Sequence, residues 1–158
     1  MIWEKINNDR STLQEYRLTD NTDNQLVLKY NPLHHSVRVT FGNIHRLFFL
    51  ESAGSISGKT IFRNEYGLET GSMSYQNSFN NKGVLTIDTK QYHFQLKNDQ
   101  LVIYSDRQQQ PLANCEFKTH TLSSKSINNI DMSCYLLGVC WYLFLPFTQR
   151  VFRYAEAS

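Results

Sequence analysis

Cysteine and proline are scarce here, at three residues each in a chain of 158. Cys115, Cys134 and Cys140 are odd in number and irregular in spacing, which excludes a disulfide framework or a zinc site as the organising feature. On a helix, Cys134 and Cys140 face different sides, and a reducing compartment is the expected setting. No apolar run follows Met1-Ile2-Trp3-Glu4-Lys5-Ile6 and no Asn-x-Ser/Thr sequon occurs, so the expectation is a cytoplasmic chain with no signal peptide. Charge of one sign is missing too. Sixteen basic and fourteen acidic residues give a net +2, spread too evenly to imply nucleic acid. No repeat or low-complexity tract occurs, and no helical period appears before residue 120. Finally, no charge lies between Asp131 and Arg150.

What the chain has instead is alternation. Met1 to Ile6, Leu13 to Thr19, Gln25 to Tyr30, Ser36 to Phe41, Ile44 to Leu50 and Lys59 to Tyr66 read as strands. Leu68 to Tyr75, Val84 to Thr89, Tyr92 to Lys97, Leu101 to Ser105 and Leu112 to Lys118 continue the pattern. Turn signals separate them: Asp20 to Asn24, Gly42-Asn43, Gly67, Asn80 to Gly83 and Asn98-Asp99. Val37, Val39 and Phe41 share one face of their strand, and Arg38 and Thr40 the other. Ile44 to Leu50 is nearly all apolar and is expected to be covered on both faces. Eleven or so short strands at this spacing predict a sandwich or barrel. At 158 residues, a single domain covers the chain.

The uncharged stretch from Asp131 reads as a helix, with Asp131 as its N-cap and Pro146 near its end. A transmembrane helix wants about 20 apolar residues. Met132 to Gln149 falls short, since it holds Ser133, Gly138, Pro146, Thr148 and Gln149. A helix apolar all round also suits burial inside a protein. Eleven or twelve strands close around more space than side chains alone can fill. The expected fold is therefore all-β with one helix: a closed or nearly closed antiparallel barrel of about 11–12 strands, with the hydrophobic C-terminal helix through its centre. Strands span 1–118, a linker 119–130 and the helix 131–147. Gly138, Cys134 and Cys140 would let the wall approach; Leu136, Leu137, Leu143 and Phe144 would fill the wider parts.

The order of segments also resembles a family. Leu47-Phe48-Phe49-Leu50 precedes a basic strand and turn, Gly58-Lys59-Thr60-Ile61-Phe62-Arg63-Asn64-Glu65-Tyr66-Gly67, and then Gly71. Tyr92-His93-Phe94, Leu101 to Tyr104 and the hydrophobic C-terminal helix complete a layout similar to the tubby C-terminal-like superfamily. That family includes tubby, the phospholipid scramblases and the LURP-one-related proteins. The resemblance runs over residues 25 to 148. It implies a barrel that binds phosphoinositides or other membrane lipids in some members. An acidic calcium segment and a palmitoylatable cysteine cluster are missing here, so calcium-driven scrambling is not implied.

Several constellations invite chemistry. Ala53 to Thr60 has P-loop spacing, but a P-loop opens a helix, and Thr60-Ile61-Phe62 is strand-like. A Gly/Ser turn between two strands is the reading. His34, His35 and His45 do not converge, because adjacent strand residues point to opposite faces, so no metal is expected. Cys115 and His120 lie too far apart on a strand to act as nucleophile and base. Ser72 lacks the Gly-x-Ser-x-Gly elbow. Arg38, Lys59 and Arg63, on the outer faces of their strands, are the candidate lipid-binding residues, a basic patch for anionic head groups. The expectation is a non-enzymatic binding or scaffold module without cofactor, cytoplasmic or peripheral to a membrane, with anionic phospholipid or an unidentified protein as partner. The alternatives are a lipocalin-like carrier of a small apolar ligand and a tail-anchored membrane protein.

Overall fold

A computed structural model describes residues 1–6, 10–53, 58–76, 81–106, 110–118 and 127–144. Eleven strands follow one another: β1 (Ile2–Ile6), β2 (Gln14–Thr19), β3 (Gln25–Asn31), β4 (Ser36–Phe41), β5 (Ile44–Ala53), β6 (Lys59–Asn64), β7 (Glu69–Tyr75), β8 (Lys82–Ile87), β9 (Lys90–Lys97), β10 (Gln100–Ser105) and β11 (Pro111–Lys118). One helix, α1 (Asn129–Leu143), ends the described chain. Each strand pairs with its neighbours in sequence, and β1 pairs with β11 to close a barrel.

Ten of the eleven pairings are antiparallel, but β1 and β11 run parallel, with Trp3 beside Phe117. The wall is the closed barrel expected, antiparallel except at this one seam. The reason is parity. In an up-and-down meander with an odd number of strands, the first and last point the same way, so closure must be parallel. Short turns set the register. Gly42 (φ +56°) opens the two-residue turn between Phe41 and Ile44. Asn98 and Asp99 both take positive φ between Lys97 and Gln100, as a two-residue hairpin turn with the twist of its strands requires.

The inward rows of the strands and α1 form one core. Tyr16, Leu18, Leu28, Val37, Val39, Phe62, Met73, Leu85, Leu101 and Ile103 are all buried. Every residue of α1 from Asp131 to Trp141 is buried as well, over three turns, so no side of the helix faces water. Tyr135 touches Trp3 of β1, Tyr16 of β2 and Phe117 of β11. Trp141 touches Phe41 of β4, and Phe144 stacks on Tyr92 of β9. The helix thus lies along the barrel axis. Gly138 is what lets it fit: a Cβ there would come within 2.4 Å of the Trp3 ring and 3.1 Å of Leu28.

Three expectations need correction. The helix N-cap is Asn128, whose side chain accepts from Asp131 N, and α1 begins at Asn129 within the stretch read as linker. Asp131 is the third residue of the first turn, where its carboxylate faces inward. Strand β5 is not covered on both faces. His45 and Phe49 are exposed on its outer side, because a closed antiparallel wall has only one interior. The expected extension of the helix to residue 147 lies outside the described residues beyond 144, as does most of the linker.

Candidate functional site

Two ends of the barrel are distinguishable. The last residues of β1, β3, β5, β7 and β9 share the end where α1 begins; the last residues of β2, β4, β6, β8 and β10 lie at the end where it finishes. At the first end, Lys5 Nζ lies 2.8 Å from Asp131 Oδ1, and the Tyr16 hydroxyl donates to the same oxygen at 2.6 Å. The Lys5 ammonium also sits 5.4 Å from the Tyr16 ring centroid. Burial, reinforced by Cys134 and by the bond to Asp131, pushes the Tyr16 phenol far above its ordinary value. It stays a neutral donor. At the other end, Tyr142 donates to the Asp20 carboxylate, which Thr22 and Asn24 also engage. The Tyr142 bond, before any other contact, holds Asp20 well below the usual carboxylate range. A charged acceptor therefore grips α1 near each end.

On the far side of the helix start from Lys5 lies a pocket of about 240 Å³. Tyr30, His35, Leu50, Ser52, Lys59 and Ile130 line it, together with Gly58, Thr60, Asn129 and Ser133. Its polar groups are ordered among themselves. The Tyr30 hydroxyl is 3.1 Å from His35 Nδ1, and Ser133 Oγ donates to Asn129 O at 2.7 Å. His35 is held in the left-handed region at φ +48°, which a histidine tolerates better than most residues.

The wall places the candidate lipid-binding residues differently from one another. Arg38 and Arg63 both face outward and flank β5, opposite Leu47 and Phe49 respectively. Arg63 is already engaged: Glu51 pairs with it and Gly67 O accepts from it. Lys59 lines the pocket at the helix start, four residues or roughly 13 Å along the strand from Arg63. Arg38 is exposed and has no acidic partner among the described residues.

One residue that the sequence reading passed over belongs with it. Lys29 stands directly opposite Arg38 in the β3–β4 register, and it is half-exposed. The hairpin arithmetic of Asn31 against Ser36 would have exposed this pairing, once the turn at 32–35 is fixed. Like charges directly across a sheet destabilise it, and Glu15 offsets only part of this, at 3.8 Å from Lys29 while also holding Arg17 at 2.8 Å.

The remaining motifs separate. Lys59 and Thr60 pair with Ala53 and Ser52 across a β5–β6 hairpin, so the P-loop spacing spans a strand-to-strand connection, of which 54–57 lie outside the described residues. His35 bonds Tyr30, and His45 bonds Thr40 at the opposite end, so they do not converge. Among the described residues, no three His, Cys, Asp or Glu side chains gather as a metal site. Cys115 is fully buried, which pushes its thiol up to about 12, and His120 lies outside the described residues. No described helix is long and apolar enough to cross a membrane. No family model, curated protein or solved structure matches this chain.

Proposed function

We propose that this protein is a non-enzymatic binding module that docks the outer wall of β3–β5 on an anionic membrane surface. The observation that carries the reading is the Lys29–Arg38 pair, two cations in register on an outer wall, beside the exposed ring of Phe49. A sheet keeps such a pair at a cost to its stability. An anionic head group removes that cost, and an aromatic ring beside it suits the boundary between head groups and acyl chains. Lipid binding is also what the resemblance to tubby-like barrels implies for some members of that family. A non-enzymatic role fits the chemistry inside the barrel, where burial keeps the thiols protonated and the Lys5, Tyr16 and Asp131 side chains satisfy one another. A lipocalin-like carrier would need the axis that α1 fills.

The test is vesicle cosedimentation with phosphatidylcholine alone and with added phosphatidylserine or phosphoinositide. Each cation near the surface is worth about 1 kcal/mol. The Lys29→Gln/Arg38→Gln double variant should therefore bind anionic vesicles roughly thirtyfold more weakly, since 1.4 kcal/mol is tenfold. Arg63→Gln should have a smaller effect, because Glu51 already neutralises that charge. Binding should weaken as added salt shortens the Debye length below about 10 Å. Equal sedimentation of wild type and double variant on both vesicle types would sink the proposal.

A further inference from the structure

The pocket at the start of α1 is separate from the outer-wall cations, and the membrane reading does not use it. We infer that it is a binding site for a small amphiphilic carboxylate, an anionic head on a short hydrocarbon or aromatic body.

Size sets the first limit. A cavity of 150 Å³ holds benzene, so 240 Å³ takes a ligand of about ten non-hydrogen atoms. Charge sets the second. Among the described residues no acidic side chain lines the pocket, and Lys59, the first residue of β6, stands at its rim as the one lysine. The first turn of α1 adds to this: Ile130 lines the pocket, and Asn128 accepts from the N–H groups of Asp131 and Met132. The positive end of the helix dipole therefore lies at the same pocket as Lys59. The hydroxyls of Thr60 and Ser133, 3.4 Å apart, and Ser52 supply further polar contacts.

Wall chemistry sets the third limit. Leu50, Ile130 and Tyr30 offer apolar surface. A doubly charged phosphate in such surroundings would leave charge unpaired, which is costly, whereas a single carboxylate is matched by one lysine and the helix start. A few convergent polar groups in an apolar cleft are the general pattern of a small-molecule site.

The probes are octanoate, octan-1-ol and inorganic phosphate, titrated into the whole protein while the backbone amide resonances are followed by NMR. Octanoate should move Gly58, Lys59, Thr60, Ile130 and Ser133. Octan-1-ol, of the same length without the charge, should bind at least tenfold more weakly, and phosphate should leave these amides unmoved at the same concentration. Lys59→Ala should weaken octanoate at least tenfold. Ile130→Trp, which fills the pocket from an exposed position, should abolish the response while the melting temperature is kept. Lys29→Gln/Arg38→Gln should leave octanoate binding as it is, which separates this site from the membrane surface. Equal affinities for octanoate and octanol, or octanoate shifts confined to other residues, would overturn the inference, as would no response to octanoate in a folded protein.

Discussion

Single atoms decide how α1 sits in the wall. Gly138 has no Cβ, and the space one would need is taken by the rim of the Trp3 indole, which is itself almost wholly buried. A rigid ring packed on all sides cannot swing away. Gly138→Ala should therefore destabilise the fold by about 1–3 kcal/mol, the usual range for overpacking, despite alanine's better helix propensity. A urea titration decides it; a variant as stable as wild type would mean that Trp3 has somewhere to go. Asp131 is a second such residue. Its side chain is only 12% exposed, while that of Lys5 is 34% exposed and can reach water alone. Tyr16 cannot, but Gln14 Oε1 lies 2.8 Å from its hydroxyl and remains as an acceptor. Asp131→Ala alone should therefore cost only about 0.5–1.5 kcal/mol at this bond, Asp131→Ala/Gln14→Leu about 1–3 kcal/mol, and Tyr16→Phe in that double background should recover part of it. Neither role could be read locally. Asp131 looked like an N-cap because Asp is a good one, but Asn128 took that position, and the real partners of Asp131 lie more than a hundred residues away.

At the scale of elements, period-2 alternation carried nearly all the information. Ser36–Phe41 has the same ends in sequence and structure, and the other strands differ from their expected ends by a few residues. The uncharged run after Asp131 was legible as a buried helix because no face of it is polar. Pairing was less legible. The parallel β1–β11 seam follows from whether the strand count is eleven or twelve, and composition does not decide that. The Lys29–Arg38 pair needed a register, and the mouth pocket joins β3, β5, β6 and α1, which no local pattern links. The helix itself gives the clearest test. Met132, Leu136, Leu137, Val139 and Trp141 are all buried. At roughly 1.5–3 kcal/mol for each large apolar side chain, their loss matches or exceeds a typical net stability of 5–15 kcal/mol. A chain ending at Asn128 should lose cooperative melting and bind a hydrophobic dye such as ANS. A sharp, reversible melt of that fragment would show that the wall stands without its axis.

The whole molecule shares one property set by what it hides. All three cysteines are buried, two of them on the central helix. Burial pushes Cys115 up to about 12, and Cys134 and Cys140 higher still. In the unfolded chain these thiols ionise near their ordinary value of about 8.5. Between those limits the folded protein holds protons that the unfolded chain has released, so stability falls as pH rises. It is fully present below about pH 8.5 and is lost above it. At pH 10 each thiol is about 1.5 units past its unfolded value, worth roughly 2 kcal/mol, or roughly 6 kcal/mol for three. That is comparable to the net stability of many domains. Tyr16 and Tyr75 shift the same way, but unfolded phenols are only about half-ionised at pH 10, so they add much less over this range. The urea midpoint should therefore drop steeply from pH 8 to pH 10 under a non-thiol reductant. Cys140→Ala should start less stable at pH 7, because it leaves a small cavity, yet lose about 2 kcal/mol less than wild type over the same range. Parallel curves for the two proteins would mean that the thiol at the centre of the barrel ionises freely, and that the axis admits water.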